Sequence, residues 1–380
     1  MDKFNFIFSG NIHFGVKSRS ILDSILKDNG YRSACIIIDH ALVSVPIFNH
    51  FLNELQCNID IIECDISEPT YEKLEEKRTN IINQNFDVFI GIGGGSALDM
   101  AKGLSVLYSN DGTAISYRGF DQFDGPISPI IAIPTTAGTG SEITPNASFI
   151  DTDEKRKMGI NGEAIRPKYA ILDPELTISC PKAPTISAGV DSMVHATEAF
   201  VAKKSNPMAK MFAKDGFKLV FENLPLLIDD LGNIELREQV MYGAFLSAIA
   251  LMNSGTGPAA ALSYPLGVHF GVPHGIGGGI FLPHVIQHNI NAGCFEYAEL
   301  YHAGNNIISK ENGSKLFIEK MWVTWQQLNI PKDLGEFGMN GNHKTKFIAD
   351  TIDLKGALDQ NPIEFYEKEI NETLEKLLVF

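Results

Sequence analysis

The sequence predicts two domains of different fold class, an α/β domain with a parallel sheet followed by an all-α domain. The chain has 380 residues, and one domain usually holds about 100–200 residues. Short apolar runs alternate with helical patterns in the first half, whereas the second half has longer segments of helical period and no convincing strand. Because Pro181 and Pro184 punctuate this change, we expect domains at residues 1–182 and 183–380.

Three short runs in the first half are predicted to be buried strands. They are Ala34–Asp39 (ACIIID), Asp87–Ile92 (DVFIGI) and Pro129–Ile133 (PIIAI). Mostly apolar, β-branched runs are typical of strands that are covered on both faces. A helical pattern at Ser96–Leu107 follows the second run, so the order of strands and helices predicts βαβ units and a parallel sheet.

Composition and charge limit the class of function. Apolar residues make up 44% and charged residues 20% of the chain, which excludes a disordered protein. The net charge of −15 argues against nucleic acid or an acidic membrane surface as a partner. The longest apolar segment, Val240–Met252, is too short to cross a membrane, which takes about 20 residues.

The cysteines and the N-terminus predict a cytoplasmic protein. The five cysteines are an odd number without a C-x-x-C pair, which favours buried thiols over disulfides or a zinc ribbon. The N-terminus has no basic region followed by a long apolar stretch, so we expect no signal peptide.

Two loops at the ends of predicted strands indicate a nucleotide site. The first, Gly91–Ser96 (GIGGGS), opens a helix, where glycines let a phosphate approach the free N–H groups of the helix N-terminus. Ser96 and Asp99 also fit a capping box. The second loop, Pro134–Ser141 (PTTAGTGS), offers small hydroxyl groups to a ribose or pyrophosphate. Either loop alone is also compatible with an ordinary turn, and the first departs from the G-x-G-x-x-G spacing.

Asp39 ends the first predicted strand. An acid at such a strand end can accept hydrogen bonds from a ribose 2′-hydroxyl and repel a 2′-phosphate. The residue therefore favours NAD over NADP if a dinucleotide binds, and an exposed loop carboxylate is the alternative.

Two segments of the second half indicate a metal site. In GVDSMVHATEAF, Asp191, His195 and Glu198 share one helical face, and Asp and His at i, i+4 can ligate one ion. The stretch Gln239–Phe295 contains no Asp, Glu, Lys or Arg, yet it holds four histidines. They are His269, His274, His284 and His288. A solvated polar stripe and satisfied core histidines are the alternatives, but four histidines in one uncharged stretch favour at least one metal ligand.

Together these motifs resemble the iron-containing, or group III, alcohol dehydrogenase family. The matching segments are GIGGGSALDMAKG, IPTTAGTGSE, KRKMGI, YAILDPEL, GVDSMVHATEAF, PLGVHFGVPHGIGGGIFLPHV and NPIEFYEKEINETLEKL, which span essentially the whole chain. The resemblance implies a Rossmann-like N-terminal domain and an all-α C-terminal domain, the architecture shared with dehydroquinate synthase-like enzymes. It also implies NAD(P) as cosubstrate and a divalent metal, for which we expect Fe²⁺ or Zn²⁺. Together with Asp39, this predicts NAD(H) as the cofactor.

The same resemblance implies which residues bind the cofactor. The pyrophosphate would be held by Gly94, Gly95, Ser96 and Asp99, and the cofactor would be lined by Thr135, Thr136 and Thr139. Lys157 would lie near the ribose of the cofactor, and Asp39 falls at the adenosine-ribose position.

The expected metal site departs from the family pattern, which has one Asp and three His. Asp191, His195 and His274 match three of these ligands, whereas Ala260 stands at the fourth position. His269 is the candidate to replace the missing ligand. Three protein ligands with an open position also occur in catalytic zinc sites, so metal binding stays open, and a site that is weakened or lost is the alternative.

The function that these features predict is an NAD-dependent alcohol dehydrogenase or aldehyde reductase. Tyr264 replaces a second family histidine near the nicotinamide and is the proton donor we expect if no metal binds. The partners expected are a small alcohol or aldehyde and a second copy in a homodimer. Two alternatives stay open: a lyase or cyclase on the dehydroquinate synthase-like scaffold, and a nucleotide-binding protein with a weakened metal site. The Ser-Tyr-Pro-Leu variant also resembles branches that act on phosphonoacetaldehyde or sugar acids.

Overall fold

In a computed structural model the chain forms two compact units. The structure describes residues 3–65, 68–300 and 309–378. The first unit, here called the α/β unit, is Ser9–Cys180. The second, here called the helical unit, combines Pro181–Phe380 with the chain up to Phe8. Asn253 holds this N-terminal segment, because its side chain accepts from the backbone N–H of Ile7 and donates to the Ile7 carbonyl.

The α/β unit contains the three predicted strands, each within one residue of the expected bounds. Its strands are β1 (Asn11–Phe14), β2 (Ser33–Asp39), β3 (Asn58–Cys64), β4 (Val88–Gly93), β5 (Gly119–Phe120), β6 (Ile130–Pro134), β7 (Asn146–Asp151), β8 (Arg156–Asn161) and β9 (Tyr169–Leu172). Its α-helices are α1 (Leu22–Asp28), α2 (Pro46–Asn53), α3 (Tyr71–Arg78) and α4 (Gly95–Ser109).

The main sheet of this unit is parallel and buried on both faces. Its strand order is β1-β9-β6-β4-β2-β3, and every neighbouring pair is parallel. Along β2, Cys35 and Ile37 pack into one apolar cluster with residues of α3 and α4, whereas Ile36 and Ile38 pack into another with residues of α1 and α2. Since helices cover both faces, β2 is apolar at successive positions rather than alternate ones. The prediction of a parallel, Rossmann-like domain is confirmed.

The order of the strands reverses between β2 and β4. From β2 the chain continues outward to β3 and then returns to β4 on the opposite side of β2. In open parallel sheets, ligands bind outside the carboxyl ends of the strands at such a reversal. Asp39 ends β2 and Gly93 ends β4, so predicted cofactor residues flank this point.

A second, three-stranded sheet lies in the same unit and has the order β5-β8-β7. Strands β7 and β8 are antiparallel, and β5 pairs with β8 in parallel. The polar, glycine-containing sequence of β8 (RKMGIN) explains why no buried strand was expected there.

The helical unit has no strand in its described part, residues 3–8, 181–300 and 309–378, which confirms the predicted all-α class. Its helices are α5 (Lys182–Val201), α6 (Pro207–Leu227), α7 (Ile234–Ser254), α8 (Pro258–Phe270), α9 (His274–Asn291), α10 (Tyr297–Leu300), α11 (Lys310–Gln327), α12 (Lys344–Ile352), α13 (Lys355–Leu358) and α14 (Glu367–Leu377). Among the described residues, no helix combines the length and apolarity that a membrane crossing requires.

Helix α5 is the central helix of this unit. Every residue from Ala188 to Val201 is buried, including three ionisable ones, Asp191, His195 and Glu198. Helices α6, α7 and α9 pack around it. Since charged side chains are rarely buried without partners, each of the three needs a structural or functional reason.

Glu198 is partnered by the first turn of α8. Its carboxylate oxygens accept hydrogen bonds from the backbone N–H groups of Gly257, at 2.7 Å, and Ala259, at 2.6 Å. The N–H of Ala260 is a further donor, and burial nevertheless raises the pKa of Glu198 to about 7. The carboxylate therefore satisfies N–H groups that a helix N-terminus leaves without partners and fixes α8 to α5.

We predict that Glu198→Ala destabilises the helical unit more than Glu198→Gln does. Alanine leaves the buried N–H groups of Gly257 and Ala259 without an acceptor, at a cost of about 1–3 kcal/mol for each, whereas glutamine retains one acceptor oxygen. Urea denaturation of the metal-free proteins measures the difference at pH 8, where Glu198 is mainly ionised. Equal stability of the alanine variant and the wild type would contradict the capping role.

Candidate functional site

Three predicted metal ligands come together inside the helical unit. One ligand atom each of Asp191, His195 and His274 lies within 4.8 Å of the other two. Nε2 of His195 is 3.5 Å from Oδ1 of Asp191, and Nε2 of His274 is 3.8 Å from the same oxygen. Asp191 and His195 are buried and His274 is half-buried. The group therefore offers a carboxylate and two imidazoles in a largely water-excluded place.

The close packing of α9 against α5 produces this arrangement. Asp191 and His195 are one turn apart on α5, and His274 is the first residue of α9. A Cβ atom at Gly275 would lie 1.9 Å from the carbonyl oxygen of Ser187, so only glycine permits the two backbones to approach there. This contact brings the start of α9, and His274 with it, beside Asp191.

The two imidazoles differ in their hydrogen-bond partners. Nδ1 of His274 lies 2.6 Å from Oγ of Ser263 on α8. Nδ1 of His195 is buried and has no hydrogen-bond partner among the described residues. An orphaned buried nitrogen is costly, which makes this site a poor candidate for a purely structural polar cluster.

The first half of α8 supplies the surroundings of His274 but no further donor. Ala260, at the expected fourth-ligand position, is buried in the first turn of α8. The ring of Tyr264 contacts the ring of His274 edge to face, with centroids 4.9 Å apart. Ala260 has no side-chain donor, so the described residues contribute three ligands rather than the four of the family pattern.

The other histidines of the uncharged stretch lie outside this group. Nε2 of His269 is 2.7 Å from Oδ2 of Asp350 on α12, so the structure does not bring the candidate substitute ligand to the site. The ring of His284 packs edge-on against Trp322, and His288 contacts a backbone carbonyl oxygen.

In the α/β unit, Gly93 occupies a position that only glycine can take. Its φ is +151°, and a Cβ there would lie 2.8 Å from Cβ of Ala97 and 3.0 Å from Cβ of Asp39. The N–H of Thr135 donates to the Gly93 carbonyl at 2.9 Å, and Oδ1 of Asp39 accepts from the N–H of Ala41 at 3.0 Å. The ends of β2, β4 and β6 thus form one edge.

The two predicted cofactor loops contact each other at this edge. A Cβ at Gly94 would lie 3.5 Å from Oγ1 of Thr136, an ordinary contact, whereas a Cβ at Gly95 would lie only 2.9 Å from Cγ2 of Thr139. Gly95 is therefore required for packing between the loops. Gly94 leaves space beside the N-terminus of α4.

The predicted capping box of α4 is wrong. The backbone already turns into the helix at Gly94, which is the N-cap residue, so Ser96 lies inside the first turn. Asp99 accepts instead from Oγ of Ser141, at 2.6 Å, and from the N–H of Ser148, at 2.9 Å. Burial raises the pKa of Asp99. Its carboxylate ties α4 to the second loop.

Lys157 lies on β8 and forms an ion pair with Glu68, with 2.5 Å between Nζ and Oε2. Its side chain is mostly buried. A ligand that contacted the ammonium group of Lys157 would share that group with the Glu68 carboxylate.

Sequence reasoning missed Lys102, which is fully buried on α4. Its ammonium group donates to Oγ of Ser141 at 2.8 Å and to the carbonyl oxygens of Thr144 and Asn146 at 3.1 and 2.7 Å. Burial lowers its pKa to about 8. One signal was present in the sequence, a lysine three residues after Asp99 on an otherwise apolar helix.

Comparisons with known proteins agree with this geometry. Residues 9–174 match the iron-containing alcohol dehydrogenase family, and residues 185–378 match the C-terminal domain of the Fe-containing alcohol dehydrogenase family. The NAD-dependent methanol dehydrogenase of Bacillus methanolicus is 32% identical over 83% of this chain and 84% of its own length. The 1,3-propanediol dehydrogenase of Citrobacter freundii is 28% identical over 97% of each chain.

A solved structure shares the whole architecture. The crystal structure of a 1,3-propanediol oxidoreductase superposes with a TM-score of 0.93 at 25% identity and covers 99% of this chain and 100% of its own. The two family matches together span most of the sequence, on both units. The chain therefore belongs to the iron-containing alcohol dehydrogenase family.

Proposed function

We propose that this enzyme is an NAD-dependent dehydrogenase that interconverts a small alcohol and its aldehyde with the help of a divalent metal. The observation that carries the proposal is the convergence of Asp191, His195 and His274 within 4.8 Å. Family membership adds the reaction class. The relatives named above act on methanol and 1,3-propanediol, which supports a short, uncharged alcohol as substrate.

The residues fit a divalent transition metal. Two imidazole nitrogens and one carboxylate suit Fe²⁺ or Zn²⁺, whereas Mg²⁺ and Ca²⁺ prefer oxygen ligands alone. The spacings of 3.5 and 3.8 Å from Asp191 agree with ligands that share one ion through bonds of about 2.0–2.2 Å. The Asp191 carboxylate would offset part of the charge of a divalent ion.

A bound metal supplies Lewis-acid polarisation of the substrate oxygen, and a nicotinamide cofactor accepts or gives the hydride. The chain's own contribution is to bind and orient both. Because Ala260 offers no donor, the position that the missing family histidine would occupy is left to water or to the substrate. Tyr264, half-buried beside His274, carries a phenol that can hydrogen-bond a substrate oxygen and move its proton.

The α/β unit supports the proposal, because its strand ends and loops fit a dinucleotide. The pyrophosphate would lie at the N-terminus of α4, where Gly94 leaves space and the helix offers N–H groups. Gly95, Ser96 and Asp99 would lie at the pyrophosphate with Gly94, and Thr135, Thr136 and Thr139 would line the cofactor from the second loop. Asp39 would accept from the adenosine ribose, and Lys157 would lie near the cofactor with Glu68 as its counter-ion.

Metal removal tests the proposal most directly. We expect the chelator-treated enzyme to lose NADH-dependent reduction of short aldehydes and to regain it with Fe²⁺ or Zn²⁺.

His274→Gln should abolish metal binding and activity while NADH binding persists, because the cofactor loops lie in the other unit. His269→Gln is the matched control: it should retain metal, since His269 is paired with Asp350. Full activity of metal-free enzyme would contradict the proposal.

Gly94→Val should abolish NADH binding without destabilising the fold. Gly94 has φ −73° and ψ −177°, which valine adopts readily, and an added Cβ meets only Thr136 at ordinary contact distance. The side chain would therefore fill the space left for the phosphates. Fluorescence titration of NADH and thermal melting measure the two effects. Gly95→Val is the contrasting variant, since it should also lower the melting temperature by displacing Thr139. Unchanged NADH affinity in Gly94→Val would move the phosphate site elsewhere.

Asp39 is predicted to select NAD(H) over NADP(H). Asp39 is the last residue of β2 and lies where the strand order reverses. Its carboxylate would repel a 2′-phosphate there. Asp39→Gly should raise kcat/KM for NADPH relative to NADH by at least about tenfold, which corresponds to ~1.4 kcal/mol. Steady-state kinetics with both cofactors measure the ratio. Equal use of the two cofactors by the wild type would contradict the assignment.

A further inference from the structure

Ser263 contacts both the imidazole ring of His274 and the backbone of α8. Its Oγ is 2.6 Å from Nδ1 of His274 and 2.6 Å from the carbonyl oxygen of Ala260. The serine is 1% exposed, so water does not compete for either contact. Three atoms thus form a short hydrogen-bonded chain that ends on an imidazole of the proposed metal site.

The direction of this chain follows from the chemistry of its members. A carbonyl oxygen can only accept, so the single proton of the Ser263 hydroxyl is donated to Ala260. The hydroxyl oxygen then faces the imidazole with a lone pair. Nδ1 of His274 must therefore carry the proton of the neutral ring, which leaves the lone pair on Nε2.

We infer that Ser263 is a positioning residue that fixes the Nδ1–H tautomer of His274 and so presents Nε2 for metal binding. The inference rests on the proposed metal site, since it concerns one of its ligands. Nε2 is the nitrogen on the side of Asp191, at 3.8 Å from Oδ1. Histidine ligands of metals commonly donate their other N–H to an oxygen that fixes the ring in this way.

Two packing contacts hold Ser263 in place. The Glu198 carboxylate fixes the first turn of α8, which includes Ala260, against α5. On the other side, a Cβ at Gly277 of α9 would lie 3.0 Å from Cβ of Ser263. The serine is therefore confined between α8 and the first turn of α9, the helix that begins with His274.

Ser263 has no counterpart at the other imidazole of the site. Nδ1 of His195 is buried without a partner among the described residues, so its tautomer is not fixed by a protein group there. The proposed site has three protein ligands, two of which are imidazoles. The metal affinity should therefore depend more on the orientation of His274 than it would in a four-ligand site.

The test measures the tautomer and the metal affinity separately in the full-length protein. Nitrogen NMR of metal-free, ¹⁵N-histidine-labelled enzyme at pH 8 should show His274 with its proton on Nδ1, assigned by the signals lost in His274→Gln. In Ser263→Ala these signals should shift toward the Nε2–H form. Titration with Zn²⁺ against a chromophoric chelator should show a ~10–100-fold weaker affinity in Ser263→Ala.

Ser247→Ala is the matched control. Ser247 is also fully buried and donates to a backbone carbonyl one turn earlier, but it contacts no histidine of the proposed site. It should leave both the tautomer and the Zn²⁺ affinity unchanged, and NADH affinity should be unchanged in both serine variants. A wild-type His274 protonated on Nε2, or a Ser263→Ala variant with unchanged tautomer and affinity, overturns the inference. Unchanged Zn²⁺ affinity in His274→Gln overturns the metal site itself, independently of the tautomer.

Discussion

The approach of the α9 backbone to α5 at Gly275 is the contact on which the proposed metal site depends. Any side chain there would collide with the carbonyl oxygen of Ser187, so the helices could not meet and His274 would move away from Asp191. Two ligands at i, i+4 on one helix are easily encoded, but the third must come from a separate segment at a fixed place. The glycine next to the third ligand fixes the place of that ligand, because it sets the distance between two backbones rather than between flexible side chains.

Glycines also permit close backbone approaches at the two proposed cofactor loops of the α/β unit. Gly93 lets the end of β4 pass close to Asp39, and Gly95 lets the start of α4 pass close to Thr139, so the strand ends and both loops form one surface. Buried charges fix neighbouring segments in both units. In the helical unit Glu198 ties α8 to α5, and in the α/β unit Lys102 ties α4 to the second loop. These two buried charges are satisfied mainly by backbone groups and a hydroxyl. Such groups stay in place when a ligand arrives, which suits a site that must be preorganised.

The sequence was sufficient to predict the elements whose signals are local. The interiors of β2, β4 and β6 are apolar at successive positions because both faces are covered, and their bounds were predicted to within one residue. The three residues that the structure brings within 4.8 Å of one another were also named from their motifs, and their role as metal ligands stays a prediction. Contacts between distant positions could not be predicted: His269 is bound by Asp350, 81 positions along the chain, and no local pattern reveals this pair. The capping box failed because Gly94 already begins the turn into the helix.

The proposed metal site has three protein ligands rather than four. Each ligand then supplies a larger fraction of the bonds between the protein and the ion, so the orientation of each one carries more weight. In this chain Ala260 gives no side-chain donor, yet its carbonyl oxygen accepts the Ser263 proton and thereby acts on His274. In the proposed site Ala260 would therefore act on a metal ligand through its backbone and not through its side chain. Since that carbonyl belongs to the turn that Glu198 holds, substitutions on α5 and α8 should be coupled through His274 even where they do not touch one another.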